Sequence, residues 1–148
     1  MKLIVTTPLA IIVDDGDVVH LRAEDETGAF GILPGHADFL TVLSVSVVGW
    51  RNKDGVEHYV AVRGGMLEVR RGQFISIATS EAVRGDDLSK LESEVLVRFQ
   101  REHDEEKTAR VDARRLYLAA MEKIYRLSRG EKRHSLPEIG ARQKENLP

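Results

Sequence analysis

The stretch that looks most capable of chemistry is a glycine-rich segment near the N-terminus. Residues 28–36 read Gly-Ala-Phe-Gly-Ile-Leu-Pro-Gly-His and superficially look like a loop that cradles phosphate. A true phosphate loop ends in Gly-Lys-Ser or Gly-Lys-Thr, because the lysine binds phosphate and the hydroxyl binds magnesium. That ending is absent here. We therefore interpret the segment as a strand with glycine-controlled turns at both ends rather than as a nucleotide site.

Histidine, serine and cysteine give no catalytic or metal-binding pattern. The five histidines show no ligand spacing of the His-Glu-x-x-His kind. No serine lies in Gly-x-Ser-x-Gly, although a Ser–His–Asp triad assembled in space stays an open alternative. The chain has no cysteine, which excludes disulfides, thiol nucleophiles and Cys-based zinc or iron–sulfur sites. We predict no catalytic residue, no metal and no cofactor.

Charge and hydropathy narrow the class of protein. With 22 basic and 24 acidic residues the formal net charge is −2, which argues against a general nucleic-acid binder. No apolar run in the sequence approaches the roughly 18 residues that a transmembrane helix needs, so we expect no direct membrane insertion. Absence of cysteine is typical of a reducing compartment, and the opening residues are too weakly apolar for a signal peptide. We expect a cytoplasmic protein.

Glycine and charge divide the chain into regions. Ten of the 12 glycines lie between Gly16 and Gly85, and none lies in residues 86–129. Residues 86–129 instead carry ten acidic and ten basic side chains, a mixture typical of exposed helices with many ion pairs. We predict a β domain at residues 1–85, a helical domain at 86–129 and a polar, disordered tail at 130–148.

Residues 1–85 read as short strands separated by turns. Turn signals spaced by about 8–12 residues are typical of a β-sandwich or a barrel. Asp54-Gly55 predicts one tight hairpin and Arg71-Gly72 predicts another. The glycine pair at 64–65 predicts a bulge or a tight turn. Alternating apolar residues should fill the core between two sheets, namely Val60, Val62, Ile75 and Ile77.

Residues 86–129 read as two helices. Asp86 or Asp87 is a plausible N-cap, the charged stretch 102–110 is where the chain could turn back, and Gly130 sits where a C-terminal cap belongs. This pattern predicts an antiparallel helical hairpin. The first helix has one apolar stripe, at Leu88, Leu91, Val95 and Phe99. The second has two candidate stripes, Leu118, Met121 and Tyr125, and Leu116, Ala120, Ile124 and Leu127.

Several segments, in order along residues 1–90, resemble the epsilon subunit of F-type ATP synthases. They are Thr7-Pro8, residues 28–37, Thr41, residues 62–69, residues 78–82 and Asp86-Asp87-Leu88. The elements Phe-Gly-Ile-Leu-Pro-Gly-His and Gly-Gly-Met-Leu-Glu-Val are specific when they occur together, and Ala-Ala-x-x-x-Ile-x-x-Leu from Ala119 is similar to the family's second helix. The resemblance implies a sandwich of ten strands followed by a helical hairpin, and a non-catalytic rotor subunit.

The resemblance also implies partners and contact residues. It places the chain in the central stalk, between the gamma subunit and the membrane ring of c subunits, peripheral to the cytoplasmic face of a bacterial plasma membrane. It implies gamma contacts at Thr7, Thr41 and Val42. It implies ring contacts at Ala29, Phe30, Leu33, Pro34 and His36. The C-terminal helices would fold against the sandwich or extend along gamma and restrain ATP hydrolysis. Their candidate residues for transient contact with the alpha and beta subunits are Arg110, Arg114, Arg115, Lys123 and Arg126.

Three departures from the family pattern suggest a divergent branch, such as an alternative ATPase. The family often carries an acidic residue where this chain has Ala29, and a Pro-Gly pair where it has Ser44-Val45-Ser46. The Asp-x-x-Arg-Ala element through which some members bind ATP is replaced at 87–91 by Asp-Leu-Ser-Lys-Leu, so we expect no ATP binding through it. A stand-alone nucleotide-sensing β-sandwich is the main alternative function, and a small hydrolase is a third.

Overall fold

The computed structural model describes the backbone of residues 1–134 and the burial of the side chains of residues 1–129. Its strands are β1 (Lys2–Thr6), β2 (Ile11–Asp15), β3 (Val18–Asp25), β4 (Gly28–Ile32), β5 (Phe39–Asn52), β6 (Glu57–Arg70), β7 (Phe74–Ala78) and β8 (Ala82–Gly85). A helical run follows from Leu88 to His134. The predicted tail begins inside this run at residue 130, and its residues 135–148 lie outside the described residues.

One hydrogen-bonded path joins the strands in the order β2-β1-β7-β6-β5-β3-β4, with β8 paired to β6. The two longest strands, β5 and β6, have 14 residues each. Strand β6 pairs with β7 through residues 66–70 and with β8 through residues 59–62. Each long strand therefore contributes to both layers of a β-sandwich, which confirms the predicted class of this domain.

The described residues form eight strands rather than the ten that the resemblance implied. The glycine pair does not end a strand, because Gly64 (φ 72°) and Gly65 (φ 114°) let β6 bend while it stays paired with β5. A Cβ at Gly65 would collide with the carbonyl oxygen of Ala78. Glycine at this position therefore allows the bend and the close approach of β7 at the same time.

The core lies between the two layers, and the predicted alternation is confirmed. Val60, Val62, Ile75 and Ile77 are all buried there. Trp50 is the largest buried side chain, and its indole Nε1 donates a hydrogen bond of 2.9 Å to Asp15 Oδ2. The predicted hairpin at Asp54-Gly55 joins β5 to β6, and Arg71-Gly72 lies in the turn from β6 to β7.

The helical run begins at a side-chain cap. The Asp87 carboxylate accepts hydrogen bonds from the amides of Ser89 (3.0 Å) and Lys90 (3.3 Å), which confirms one of the two predicted caps. The run comprises α1 (Leu88–Lys90), a π-helical segment (Leu91–Leu96) and α2 (Val97–His134).

The predicted hairpin is absent from the described residues, because α2 is continuous through residues 102–110. This stretch contains no glycine and no proline, so nothing in its backbone interrupts the hydrogen-bond ladder. The helix also passes Gly130, which was predicted to cap it. A single helical glycine costs only about 1 kcal/mol relative to alanine, too little to end a long helix by itself.

The chain forms two compact units, Met1–Glu106 and a second that begins at Lys107. In the first unit, Leu91 and Phe99 are buried against Ala61 on β6, and Val95 packs beside them. Three members of the predicted stripe therefore face the sheet, whereas Leu88 is 37% exposed. In the second unit, every described side chain from Lys107 to Arg129 is exposed.

Candidate functional site

The segment that follows β4 forms a braced loop at one end of the sandwich. The amide of Gly35 (φ 83°) donates to the carbonyl of Gly72 at 2.9 Å. Asp38 Oδ1 accepts from the amide of Arg71 at 2.7 Å. These bonds tie residues 33–38 to the turn between β6 and β7, so the loop is presented in one conformation.

The five predicted ring-contact residues fall into two groups on this end of the molecule. Phe30 and His36 are half-buried, and both pack edge-on against Phe39, with ring centroids 5.6 and 5.7 Å away. Leu33 and Pro34 form the exposed tip of the loop, and Ala29 is exposed on the edge strand β4. The rings brace the loop from inside, and its apolar tip is left free for a partner.

Thr41 has an internal partner. Its Oγ1 donates to Asp25 Oδ2 at 2.8 Å, and Thr27 donates to Asp25 Oδ1 from Oγ1 (2.6 Å) and from its amide (2.9 Å). The hydrogen bonds from Thr27 and Thr41 lower the pKa of the Asp25 carboxyl. The Thr41 hydroxyl therefore closes the turn between β3 and β4.

An exposed apolar strip runs across the outer face of β5, β6 and β7. Val42 lies directly opposite Met66, and Met66 lies opposite Ala78. Residues that face each other across neighbouring strands point to the same side of the sheet. Val42 is 64% exposed and Met66 is 50% exposed, and Leu40 on the same face is exposed as well. Contiguous apolar surface of this kind marks a site of protein contact.

Of this apolar strip, the sequence predictions included only Val42. The signal that could have found it is the run Phe39–Leu43, in which apolar residues occupy both faces of one strand. Thr7, the remaining predicted gamma contact, closes the exposed turn between β1 and β2, where its Oγ1 donates to the Ala10 carbonyl at 3.3 Å.

A groove of about 570 Å³ lies within the first unit, between the sheet and the start of the helical run. Val45, Val47 and Tyr59 contribute to its sheet side. Its helical side includes Leu88, Glu92 and Leu96. The Tyr59 hydroxyl donates to Glu57 at 2.7 Å, which raises the pKa of Tyr59 and lowers that of Glu57. The groove is thus lined by both apolar and polar side chains, and the Tyr59–Glu57 pair within it is hydrogen-bonded.

Polar groups near Trp50 form a second cluster with a structural role. Burial alone would raise the pKa of Asp15, but hydrogen bonds from the Asp17 amide and the Trp50 indole, with the nearby charges of His58 and Arg84, lower it. The Arg84 guanidinium lies 5.6 Å from the Trp50 ring centroid. Because Arg84 belongs to β8, this cluster ties the strand that precedes the helical run to the sandwich.

The described part of the second unit is a charged helix with exposed apolar side chains. The five basic residues predicted to act in inhibition are all exposed there. Arg126 pairs with Glu122 at 2.7 Å, one helical turn away. The large exposed apolar residues between them and around them are Val111, Leu116, Tyr117, Leu118, Met121, Ile124, Tyr125 and Leu127. This segment therefore carries both charged and large apolar side chains that are exposed.

Neither a metal centre nor a membrane span is found in the part of the chain that the structure describes. Among residues 1–134, no three His, Asp or Glu side chains lie close enough together to hold a metal ion. No helix within the same residues is both long and apolar enough to cross a membrane.

The chain is similar to known proteins along most of its length. The beta-sandwich domain of the ATP synthase delta/epsilon chain matches residues 1–85. ATP synthase epsilon chain 2 of Paraburkholderia xenovorans is 40% identical over 129 residues, which cover 87% of this chain and 93% of the relative. The protein of the same name from Cereibacter sphaeroides is 37% identical over 126 residues, with 85% and 86% covered.

A solved structure shares the fold. A chain of the Euglena gracilis mitochondrial ATP synthase, determined as OSCP, F1 and c-ring, superposes with a TM-score of 0.53 at 24% identity, covering 61% of this chain and 57% of that one. The sandwich, the specific motifs and the relatives along most of the length lead to one conclusion. The chain belongs to the epsilon-chain family of ATP synthase, a regulatory and structural subunit rather than a catalytic one.

Proposed function

We propose that the chain is a central-stalk subunit that joins gamma to the c-ring and restrains ATP hydrolysis through its C-terminal helix. The observation that carries the proposal is the separation of two contact surfaces on one rigid sandwich. The apolar strip lies on a sheet face, and the braced loop lies at one end. A subunit that transmits rotation needs two such surfaces, because it must grip two partners at once.

Gamma is the partner proposed for the apolar strip. Exposed Val42 and Met66 provide the kind of apolar centre that a stable protein interface buries. Val42→Asp should abolish co-purification of gamma with the tagged chain. Val56→Asp is the matched control, since Val56 is 50% exposed but lies in the turn between β5 and β6. Equal recovery of gamma with both variants would contradict this assignment.

The c-ring is the partner proposed for the loop tip. Leu33 and Pro34 are exposed there, and Glu24 lies directly across the β3–β4 ladder from Ala29. Directly opposed side chains have Cβ atoms about 4.5–5.5 Å apart. Glu24 can therefore supply, from the neighbouring strand, the carboxylate that many family members carry at the position of Ala29. Leu33→Asp and Glu24→Gln should each weaken recovery of c subunits while gamma is retained.

Restraint of hydrolysis is proposed for residues 107–129, called the arm below. The continuous helix leaves the arm's apolar and basic side chains exposed, which suits an extended state that contacts gamma and, transiently, alpha and beta. The hairpin predicted from the sequence would be the second state. A bend after Glu106 would let the arm fold back. The sheet side of the groove, at Val47 and Tyr59, would then offer it a surface to pack against.

Isolation of the complex tests the proposal as a whole. We propose that the subunit lies at the cytoplasmic face of the membrane. A tagged full-length chain expressed in its own host should therefore recover gamma and c subunits from detergent-treated membranes. If it recovers neither, the proposal is wrong. The stand-alone nucleotide sensor gains no support from the geometry, since the Asp87 carboxylate is already bound by two backbone amides. Calorimetry with ATP should accordingly give no binding heat.

A further inference from the structure

Arg63 on β6 is the centre of an ion-pair cluster that no motif in the sequence indicated. Its side chain is only 14% exposed, although it carries a full positive charge. Arg63 Nη2 lies 2.7 Å from Glu106 Oε1, and Nη1 lies 3.5 Å from Glu102 Oε2 and 3.8 Å from Glu81 Oε2. One guanidinium thus contacts carboxylates from the loop before β8 and from α2.

A second arginine closes the cluster. Arg98 Nη2 lies 3.0 Å from Glu81 Oε1, and Arg98 Nε lies 3.9 Å from Glu102 Oε1. The Arg63 amide also donates to the Glu81 carbonyl at 3.0 Å, which holds the loop beside β6. Guanidinium groups present five donors in a planar fork, so two of them can serve three carboxylates at once.

The cluster begins where the apolar packing of the helix ends. Phe99 is fully buried against Ala61, and Glu102 and Glu106 follow it at three and seven residues on the same helical face. Glu106 is also the last residue of the first compact unit. From Lys107 to Arg129 every described side chain is exposed.

We propose that Arg63 is a positioning residue that clamps residues 97–106 to the sandwich and sets the start of the arm at Lys107. Undocking the helix would break the ion pairs of Arg63 with Glu102 and Glu106 while the pair with Glu81 remains, so the two helix carboxylates favour the docked state. The clamp itself is a property of the isolated chain. Only its consequence for hydrolysis rests on the function proposed above.

Hydrogen–deuterium exchange of the full-length chain tests the clamp. In Arg63→Ala the amides of residues 97–106 should exchange about tenfold faster or more, because the docked state loses its charge contacts. The strands β1 and β7 should keep their protection. Arg70→Ala is the matched control, since Arg70 is on the same strand and pairs with Glu68 at 2.7 Å but is 70% exposed. Unchanged exchange at residues 97–106 in Arg63→Ala would overturn the proposal.

A second pair of variants keeps the test decisive if Arg63→Ala fails to fold. Glu106→Gln removes the closest carboxylate without altering the sheet, and it should speed exchange in residues 97–106 by about threefold to tenfold. Arg63→Lys should give a similar loss, because an ammonium group cannot contact three carboxylates as a guanidinium fork does. Exchange equal to wild type in both variants would show that apolar packing alone holds the helix.

The ATP hydrolysis rate of the assembled synthase distinguishes failure of the clamp from failure of the proposed restraint of hydrolysis. If the clamp sets the arm, Arg63→Ala should change the ATP hydrolysis rate of the complex at least about twofold, by altering where the arm pivots. Faster exchange in the free chain with an unchanged hydrolysis rate would support the clamp and contradict the proposed restraint of hydrolysis. Unchanged exchange at residues 97–106 would contradict the clamp whatever the hydrolysis rate.

Discussion

Residues 88–106 and residues 107–129 belong to one helical run, yet their apolar side chains have opposite fates. In the first segment Leu91 and Phe99 are buried on the sheet. In the second, Leu116 and Ile124 are among several large apolar residues that face solvent. The second segment is no poorer in apolar residues than the first, so apolar content does not explain the difference in burial. Helical pattern alone does not decide it.

The difference also explains why the first segment needs special features. It has an N-cap at Asp87, a π-helical turn over Leu91–Leu96 and ion pairs at Arg63. A π-helical insertion changes the helical phase, which brings Leu91 and Phe99 to the same sheet although they are eight residues apart. In the arm, by contrast, the described side chains are exposed, and the pair of Arg126 with Glu122 is a local i,i+4 contact. Its conformation is thus the easier of the two to change.

The largest effect is expected from Phe99→Ala. This change removes a fully buried aromatic side chain from the docked segment and should cost about 3–5 kcal/mol of docking free energy. Hydrogen exchange across residues 91–106 measures the loss. Phe74→Ala, at a residue that is 50% exposed at the start of β7, is the control and should cost far less. Similar protection of residues 91–106 in both variants would show that burial of Phe99 does not hold this segment on the sheet.

Truncation compares the two segments directly. A chain ending at Glu106 should melt within about 2 °C of the full chain, since every described side chain from Lys107 to Arg129 is exposed. A chain ending at Arg84 should still melt cooperatively but with at least about 3 kcal/mol less stability, because the outer face around Ala61 loses both Leu91 and Phe99. Thermal melts of both truncated chains, followed by circular dichroism, measure these differences. In the synthase, either truncation should raise ATP hydrolysis if the arm is a brake.

Loss of the helix cap should affect residues 88–106 more than the arm. Asp87→Ala removes the acceptor for two backbone amides and should cost about 1 kcal/mol. Exchange should rise over residues 88–96 and stay unchanged over residues 107–129. Asp87→Asn keeps a capping oxygen and is the control. Equal rises in both segments would indicate that the helical run unfolds as one cooperative body.

The smallest effect is expected from truncating an apolar residue of the arm. Ile124→Ala should change the stability of the isolated chain by less than about 0.5 kcal/mol, as is usual for exposed positions. In the assembled synthase the same change should alter the hydrolysis rate, because there the side chain is expected to meet a partner. A large loss of stability in the isolated chain would mean that the arm folds back in solution.

Features that depend on neighbouring residues were predictable from the sequence. The turn at Asp54-Gly55, the cap at Asp87 and the buried alternation at Val60 and Val62 were all found where local chemistry predicted them. A positive φ, an unsatisfied amide at a helix start and a two-residue period are each set within a few residues. The specific motifs around Gly35 and Gly64 then identified the family.

Tertiary structure alone decided the features that join distant parts of the chain. Gly64-Gly65 could have ended a strand or bent it, and pairing with both β5 and β7 made it a bend. Residues 102–110 could have turned or stayed helical, and Glu102 and Glu106 instead meet Arg63 from a continuous helix. In each case the local sequence permits two conformations, since a stretch without glycine or proline can stay helical but need not. The choice between them comes from contacts across many residues, which no local pattern encodes.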